Sequence, residues 1–329
     1  MMLRAGVIGL GAMGRAHARV LAALPGVDLV AIADPVGDPL NAQGRPVVNS
    51  VDELLNVGVD YCVVSVPSIF HRSVALILAE AGVHALIEKP LSLDVSSSID
   101  IVEAFESRGV VAAVGHIERY NPALQQARER LANGDLGDVY QVATRRQGPF
   151  PPRIADIGVV MDLATHDIDL TAWVSGQTYQ TVSAQTAHRA GRDHEDLVTI
   201  SARLSGGIIA NHLINWVSPM KERVTVITGE RGAFVADSLT ADLWFHANGS
   251  VETVWDTVAG FRGVTEGDVV RFAFPKQEPL RVEHEAFRDA VLGTGDGIVT
   301  LREGLATIGV AEACLASAGQ GGTLVRVGE

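Results

Sequence analysis

The chain has 329 residues, of which 47% are hydrophobic and 20% are charged, and its formal net charge is −13. This length is enough for a large core and for about two domains. The negative charge disfavours nucleic acids and anionic membranes as partners, because phosphate binding needs a basic surface. Two cysteines, Cys62 and Cys314, are too few for a disulfide scaffold or a multi-cysteine zinc site. The apolar run Ala5 to Leu10 is too short for a signal peptide or a membrane span, so we expect a cytoplasmic protein.

A β-prone run from Leu3 to Ile8 leads into a glycine-rich turn with the spacing G-x-G-x-x-G, and a helical stretch follows. A strand, this turn and a helix in that order are typical of a dinucleotide-binding unit. The first glycine permits the turn, the second lets the backbone approach a pyrophosphate, and the third lets the helix pack on the strand. The helix N-terminus then faces the anion. The residues expected to contact the cofactor are Gly9, Gly11, Ala12, Met13 and Gly14.

The next predicted strand, Val27 to Ala33, ends at Asp34, which lies 20 residues after Gly14. This is the spacing of the acid that binds the adenosine ribose of a dinucleotide. A carboxylate at this position favours NAD, because it repels the 2′-phosphate of NADP, although Arg45 leaves NADP possible. The alternative for Asp34 is an ordinary turn residue before Pro35.

Apolar strands and helices continue to alternate up to residue 118. The expected elements are a helix at 50–56 capped by Ser50, a strand at 59–64, a helix at 70–81, a strand at 84–87, a helix at 94–108 capped by Asp94 and a strand at 110–114. Continuous apolar strands between helices indicate a parallel sheet that is covered on both faces. Residues 1–118 are therefore predicted to form a Rossmann domain with a doubly wound parallel sheet.

Residues 119–329 show a different pattern, in which helices at 122–132 and 161–174 are followed by strands that alternate apolar and polar residues. The expected strands cover 139–146, 181–187, 196–204, 208–216, 223–228, 233–236, 241–245 and 251–255, with a loop at 147–153 and late helices at 284–292 and 302–318. Such alternation predicts half-buried antiparallel strands. We therefore expect an α+β domain with a large, mostly antiparallel open sheet for substrate binding and oligomerisation. The last helix could pack back on the first domain.

The strand at 84–87 runs into Glu88-Lys89-Pro90. Pro90 biases Lys89 away from a helical conformation, so Lys89 should lie at the carboxyl end of the strand, where ligands of open α/β sheets bind. A solvated lysine in an ordinary loop is the alternative. The residues expected on the nicotinamide side of the sheet are Ser65, Val66, Pro67, His71, Glu88 and Lys89. For His71 a surface position at the helix start is the other interpretation.

Four features stand in order along the chain: Gly9-x-Gly11-x-x-Gly14, Asp34, Glu88-Lys89-Pro90 and the run from Asp162 to Asp169. Together they resemble the Gfo/Idh/MocA (glucose–fructose oxidoreductase / inositol dehydrogenase) family. The resemblance implies an NAD(P)-dependent oxidoreductase acting on a CH–OH group of a sugar, cyclitol or related polyol. It also implies a homodimer or homotetramer packed through the second-domain sheet. The segments 115–122 and 148–153 resemble members that oxidise nucleotide sugars, such as UDP-N-acetylglucosamine at C3.

Oxidation of an alcohol requires a general base for the hydroxyl proton as well as a hydride acceptor. His166 is the leading base, because an imidazole titrates near neutral pH, although it could be a core histidine. Asp162 lies four residues earlier on the same predicted helix face, where it could orient His166 or accept a substrate hydroxyl, or be only a helix N-terminal acid. Lys89 would share the proton or stabilise the alkoxide. Glu88 would anchor the lysine loop, unless it is simply exposed.

Substrate binding is assigned to arginines that could hold a diphosphate and to a tyrosine that could stack on a base. The predicted substrate contacts are Lys89, Arg119, Tyr120, Asn121, Arg145, Arg153, Asp162 and His166, with Arg146 as a further candidate. Arg145 and Arg146 are adjacent and cannot face the same side of a strand, so at least one of them should be solvated. The histidines show no spacing typical of a metal site, and no metal is expected.

Two other functions are compatible with the same fold. One is a glycosidase or dehydratase in which NAD is reduced and reoxidised within one turnover. The other is a non-enzymatic NAD-binding sensor. The presence of Lys89, Asp162 and His166 together argues against the sensor.

Overall fold

The computed structural model describes residues 2–38, 42–150, 157–249, 251–252 and 265–328. The chain forms two compact units. The first comprises Met1–Ile117 together with Glu278–Glu312, and the second comprises Glu118–Gln277 together with Ala313–Glu329. The sequence assigned residues 119–329 to the second domain and allowed only the last helix to pack back on the first, whereas the whole segment 278–312 belongs to the first unit. It returns to the first unit because the ring of Phe287 is buried in that unit's core, edge-on to Tyr61.

The first unit is built on a six-stranded sheet in the order β3-β2-β1-β4-β5-β6, with all neighbouring strands parallel. Its strands are β1 (Leu3–Ile8), β2 (Val27–Ala33), β3 (Val47–Val48), β4 (Tyr61–Val64), β5 (His84–Glu88) and β6 (Ala112–Gly115). Its helices are α1 (Ala12–Ala22), α2 (Val51–Val57), α3 (His71–Glu80), α4 (Val95–Glu106) and α7 (Pro279–Val291), with α8 (Leu301–Gly319) beginning there. This strand order is that of a dinucleotide-binding Rossmann fold, as predicted.

Buried side chains explain why these segments pair as a parallel sheet. All four residues of β4 are buried, and β5 is buried from Ala85 to Glu88. Strands buried on both faces need helices above and below them, which the alternating chain supplies. The helix starts follow local signals: Ser50 accepts a hydrogen bond from the Glu53 N–H at 3.1 Å, and Asp94 accepts one from the Ser97 N–H at 2.7 Å.

The second unit contains a nine-stranded sheet in the order β16-β13-β12-β11-β7-β10-β9-β8-β17. Its strands are β7 (Val139–Pro149), β8 (Tyr179–Ala187), β9 (Leu197–Leu204), β10 (Ile209–Asn215), β11 (Val217–Gly229), β12 (Gly232–Asp237), β13 (Asp242–Ala247), β16 (Val269–Arg271) and β17 (Val325–Arg326), while β14 (Val251–Glu252) and β15 (Thr265–Glu266) pair separately. Its helices are α5 (Pro122–Ala132) and α6 (Thr165–Ser175). β7 and β10 run parallel and the other neighbouring pairs of the large sheet are antiparallel, so the predicted fold class is confirmed.

Two predicted elements of this unit are wrong in detail. Residues 147–149 were expected in a loop, but they extend β7, because Gln147 pairs with Asn215 of β10 and Pro149 pairs with Val217 of β11. The helix expected from 161 to 174 begins as a π-helical turn, Val160–Ala164, before α6. The predicted strand residues 253–255 and the loop residues 151–153 lie outside the described residues.

No helix within the described ranges is both long enough and apolar enough to cross a membrane.

Candidate functional site

The glycine turn of the first unit brings the start of α1 against the end of β1. Gly9 has a φ of 89° and donates its N–H to the Ala33 carbonyl at 2.8 Å. A Cβ on Gly14 would lie 1.9 Å from the Gly9 oxygen, so only glycine lets the helix pack this closely. The Ser65 hydroxyl donates to the same Gly9 oxygen at 2.8 Å and fixes the turn against the end of β4.

The N-terminus of α1 has the properties of an anion site. Gly11 precedes the helix in extended conformation, no side chain caps this helix start, and the first turn carries no acidic residue. A Cβ on Gly11 would meet no described residue within 4 Å, so the space beside its backbone is open to a ligand. Ala12 is exposed and Met13 is half-buried. The N–H groups of this turn therefore suit a dinucleotide pyrophosphate.

Asp34 follows β2 with both carboxylate oxygens engaged by the backbone. One accepts the Leu10 N–H at 2.7 Å and the other accepts the Val36 N–H at 2.8 Å. Its carboxylate is therefore held beside the glycine turn, where the ribose role was predicted. Arg45 pairs at 3.4 Å with Asp28, near the opposite end of β2 and roughly 20 Å along the strand. Arg45 thus gives no support to NADP.

His71 is buried, not on the surface, and connects two loops of the predicted nicotinamide side. Its Nδ1 lies 2.8 Å from the Pro90 carbonyl oxygen and its Nε2 lies 3.0 Å from the Val66 carbonyl oxygen. Burial lowers the pKa of His71, although both carbonyls favour its charged form. His71 therefore ties the loop that contains Ser65, Val66 and Pro67 to the loop that follows Lys89.

Glu88 is buried, which excludes the interpretation of an exposed acid. Its Oε1 lies 2.7 Å from His17 Nε2, and its Oε2 accepts the Lys89 backbone N–H at 3.1 Å. Burial by itself raises the pKa of the Glu88 carboxyl, but the hydrogen bond with His17, together with the nearby Lys89 and His71, outweighs it and lowers the pKa. Glu88 is therefore a carboxylate that holds the main chain of Lys89, whose side chain is partly exposed.

In the second unit, Asp162 lies within the π-helical turn and His166 lies in the first turn of α6. Asp162 is buried and His166 is half-buried. Glu195 fixes the start of this turn, because its Oε1 accepts the Val160 N–H at 3.0 Å and its main-chain oxygen accepts the Val159 N–H at 2.9 Å. π-Helical turns are rare and occur frequently at functional sites.

A buried ion-pair network anchors α6 to β7. Arg146 donates from Nε to Asp167 Oδ2 at 2.6 Å and from Nη1 to Glu118 Oε1 at 2.8 Å. Burial alone would lower the pKa of Arg146, but the two carboxylates raise it; Arg146 in turn lowers the pKa of Glu118. Burial raises the pKa of Asp167 more than Arg146 lowers it. These pairs hold the helix that carries His166.

Three residues predicted to contact the substrate are buried within the second unit. Arg119 forms a bidentate pair with Asp169, with distances of 2.8 and 2.6 Å, and its side chain is 7% exposed. Tyr120 is buried. Asn121 caps α5 by accepting the Ala123 N–H at 3.0 Å and donates to the Ser238 carbonyl at 3.0 Å. A bound substrate would have to compete with these contacts.

The neighbours Arg145 and Arg146 face opposite sides of β7, as expected, and Arg145 is the solvated one. Its side chain is 57% exposed and pairs with Glu222 at 2.7 Å. Arg146 faces α6, and Arg223 of β11 pairs with it in register. The Asp162 carboxylate acts electrostatically on Arg223, whose pKa burial and Arg146 lower.

Arg223 is therefore a cationic residue that the sequence did not indicate and on which the Asp162 charge acts. Its position depends on the register of β11 with β7, two strands that are far apart in the sequence. Arg153 lies outside the described residues.

The comparisons with known proteins agree with this architecture. Residues 3–116 match the model "Oxidoreductase family, NAD-binding Rossmann fold", and residues 124–235 match "GFO/IDH/MocA C-terminal domain". The chain therefore belongs to the GFO/IDH/MocA family. It is an NAD-binding oxidoreductase, which confirms the predicted enzyme class and cofactor.

Among similar proteins, UDP-N-acetylglucosamine 3-dehydrogenase of Acidithiobacillus ferrooxidans is 35% identical over 296 residues, covering 88% of each chain. Inositol 2-dehydrogenase 2 of Saccharopolyspora erythraea is 28% identical over 339 residues, covering 98% of this chain and 95% of the relative. The crystal structure of GenD2 from gentamicin A biosynthesis, in complex with NAD, superposes with a TM-score of 0.82 at 28% identity, covering 100% of this chain and 97% of that one.

Proposed function

We propose that this oxidoreductase oxidises a secondary alcohol of a sugar or nucleotide sugar, with C3 of UDP-N-acetylglucosamine as the first candidate. The observation that carries the proposal is the 35% identity to a UDP-N-acetylglucosamine 3-dehydrogenase over 88% of both chains. The site residues support it, since Lys89, Asp162 and His166 supply the groups that alcohol oxidation needs. When bound, NAD supplies the hydride acceptor.

His166 is proposed as the general base that takes the hydroxyl proton. Its position at the start of α6 is fixed by the two buried pairs, Arg146–Asp167 and Arg119–Asp169, that hold the same helix. A base must be held within hydrogen-bond reach of the proton that it removes, so anchoring of this helix contributes to catalysis. Asp162, buried one turn earlier, is proposed to orient His166 or to accept a substrate hydroxyl.

Lys89 is proposed to stabilise the oxygen from which the proton leaves. An ammonium group is a compact charge with three donors, which suits a developing alkoxide. Glu88 keeps the loop in place by accepting the Lys89 backbone N–H. Asp34 is proposed to accept hydrogen bonds from the adenosine ribose of NAD, beside the turn of Gly9, Gly11 and Gly14.

For the substrate, we propose Arg153 and Arg223 as the arginines that meet a diphosphate or another anionic group. Arg223 is on the side of the sheet that faces α6, where the Asp162 charge acts on it. Arg145 lies on the opposite face of β7 and is the least suited of the predicted set.

The experiment is a turnover assay that follows NADH formation with purified protein, NAD and a panel of UDP-sugars, free sugars and inositols. NADH formed with a UDP-sugar alone supports the nucleotide-sugar function. NADH formed only with a free polyol favours an inositol-type dehydrogenase, the second candidate, which the 28% identical inositol dehydrogenase supports. Consumption of a glycoside or loss of water without net NADH would identify internal redox chemistry. NAD binding without any turnover would favour a sensor.

We further propose a homodimer or homotetramer formed through the exposed face of the nine-stranded sheet. This face carries Arg145 together with polar strand residues such as Thr199, Ser201 and Asn211, which line one shallow groove. The molar mass in solution, measured by light scattering for the wild type and for Ser201→Arg, tests it. A monomeric wild type would contradict the proposal.

A further inference from the structure

Behind Lys89, the first unit contains a chain of buried side chains that cofactor binding does not explain. His284 Nε2 lies 2.9 Å from His17 Nδ1, and His17 Nε2 lies 2.7 Å from Glu88 Oε1. Glu88 Oε2 then accepts the Lys89 N–H. Both histidines are completely buried, His17 on α1 and His284 on α7. The chain thus runs from α7 through α1 to the residue before Lys89.

The positions of the hydrogen atoms in this series of hydrogen bonds follow from the residues at its two ends, Glu88 and His284. A carboxylate can only accept, so His17 carries a hydrogen on Nε2 and donates it to Glu88. Burial, with the neighbouring His17, lowers the pKa of His284 well below its usual range, so its ring is neutral and carries one hydrogen. Its Nδ1 has no hydrogen-bond partner among the described residues. An orphaned buried donor is rarer than an orphaned acceptor, which places the hydrogen of His284 on Nε2. All donors therefore point toward Glu88.

The other charged or titratable groups around Glu88 leave it as the negative end of the chain. Among the described residues, those that act on Glu88 besides His17 are Lys89, His71 and Glu283. Glu283 is buried on α7, and neither of its oxygens has a partner among the described residues. Burial, with the nearby Glu88 charge, raises the pKa of Glu283 well above its usual range, so Glu283 is neutral where Glu88 is ionised. No group of three or more potential ligands in the described part of the chain could hold a metal ion.

We propose that His17 and His284 are positioning residues for Lys89: their one-directional hydrogen-bond chain keeps Glu88 ionised and turned toward the Lys89 main chain. The inference rests on the proposed function only where Lys89 is taken as catalytic. Its physical reason is that a buried carboxylate stays charged only while donors satisfy it. His17 is the donor to its Oε1, and His284 supplies the hydrogen bond that fixes the His17 tautomer.

The test compares two variants of His284 with one variant of His17 and one control. His284→Leu removes the donor to His17, whereas His284→Gln keeps an N–H donor near the place of Nε2. His17→Leu removes the contact to Glu88 itself, and Glu283→Gln is the matched control because it exchanges one neutral buried group for another. The first readout is the carboxyl ¹³C titration of Glu88 in protein labelled at glutamate, assigned with Glu88→Gln and measured with NAD and no substrate. The second is the pH profile of kcat/KM.

We expect the Glu88 titration and the acidic limb of the profile to move upward by roughly one pH unit in His284→Leu and further in His17→Leu. The wild-type positions should be retained in His284→Gln and Glu283→Gln. Unchanged titration of Glu88 in His17→Leu, in a protein that binds NAD normally, would overturn the inference. Equal shifts in His284→Gln and His284→Leu would also overturn it, because packing and not the donor would then be responsible.

The two readouts separate this inference from the proposed function. If no sugar is oxidised but the Glu88 titration shifts as expected, the inference about His17 and His284 is supported and the proposed function is wrong. If a sugar is oxidised while neither readout responds to His17→Leu, the proposed function stands and the inference fails.

Discussion

His17 and His284 are 267 positions apart in the chain and share a hydrogen bond of 2.9 Å in the core of the Rossmann unit. The contact links the helix that follows the glycine turn to the segment that returns from the far end of the sequence. Two imidazoles in contact are costly in a dry interior, where an apolar pair would pack without any polar requirement. His17 also contacts Glu88, and the role that we propose for the polar pair is to hold this carboxylate.

Lys89→Met should reduce kcat by a factor of about 100 to 10,000, the range for a positioned acid–base group, while leaving NAD affinity within a few-fold of wild type. Methionine keeps the length and apolar stem of lysine but removes the charge. Lys276→Met is the control, because Lys276 is exposed and pairs with Asp242 at 2.6 Å in the second unit. Steady-state kinetics and NAD titration measure both; equal kcat in the two variants would remove Lys89 from the catalytic set.

Asp34→Ala should weaken NAD binding by at least about tenfold, since it removes the ribose acceptor and two contacts to the backbone of the turn. Asp28→Ala, at the other end of the same strand, should bind NAD like the wild type. Calorimetric titration with NAD and NADP measures the effect. Unchanged affinity in Asp34→Ala would show that the ribose is held by other groups.

Gly14→Ala should lower the stability of the protein, whereas Gly11→Ala should lower its affinity for NAD. A methyl on Gly14 collides with the Gly9 oxygen, so Gly14→Ala should lower stability by about 1–3 kcal/mol. A methyl on Gly11 meets nothing within 4 Å in the part of the chain that the structure describes, so that variant should unfold like the wild type and bind NAD at least about tenfold more weakly. Thermal unfolding with and without NAD distinguishes the two. A stable Gly11→Ala with normal affinity would move the pyrophosphate away from this turn.

Arg119→Leu should destabilise the second unit by about 3–5 kcal/mol, because it leaves the buried Asp169 carboxylate without its partner. Arg145→Leu removes an exposed ion pair and should change stability by less than about 1 kcal/mol. Denaturant unfolding of the two variants makes the comparison. If Arg119→Leu kept its stability and lost only affinity for the sugar, Arg119 would return to the substrate site.

Glu283→Gln should become more stable than the wild type as the pH rises from mildly acidic to neutral. In the unfolded chain Glu283 releases its proton above its usual pKa of 4.5, whereas the buried carboxyl keeps it because its pKa is raised. Each pH unit between those two pKa values therefore favours the unfolded wild type by about 1.4 kcal/mol, and glutamine does not titrate. Unfolding temperatures over this pH range give the difference; parallel curves for the two proteins would mean that Glu283 is ionised in the folded state.

The sequence predicted what local chemistry determines. Ser50 and Asp94 cap their helices because a short polar side chain just before an apolar periodic run can accept a hydrogen bond from a backbone N–H of the first turn. The strands of the first sheet were recognisable because burial on both faces leaves a continuous apolar run. The glycine turn was recognisable because close approach of backbone atoms admits no side chain.

Contacts between distant segments could not be predicted in the same way. The role of Arg146 depends on which face of β7 turns toward α6, and the position of Arg223 depends on the register of β11 with β7. Arg119 is a plausible anion-binding residue in any single sequence, and only folding reveals Asp169 beside it. His17 lies three residues after Gly14, on the same helix face, which is a weak signal until α7 supplies His284.

The return of residues 278–312 means that the Rossmann unit is encoded in two separate pieces, with residues 118–277 of the second unit between them. Phe287 fills part of the core beneath β1 and β4, so this unit has no complete interior until the segment after residue 277 has been synthesised. Folding on the ribosome therefore cannot finish in the order of the sequence. The unit that contains the glycine turn is completed only after residues 278–312 have been synthesised.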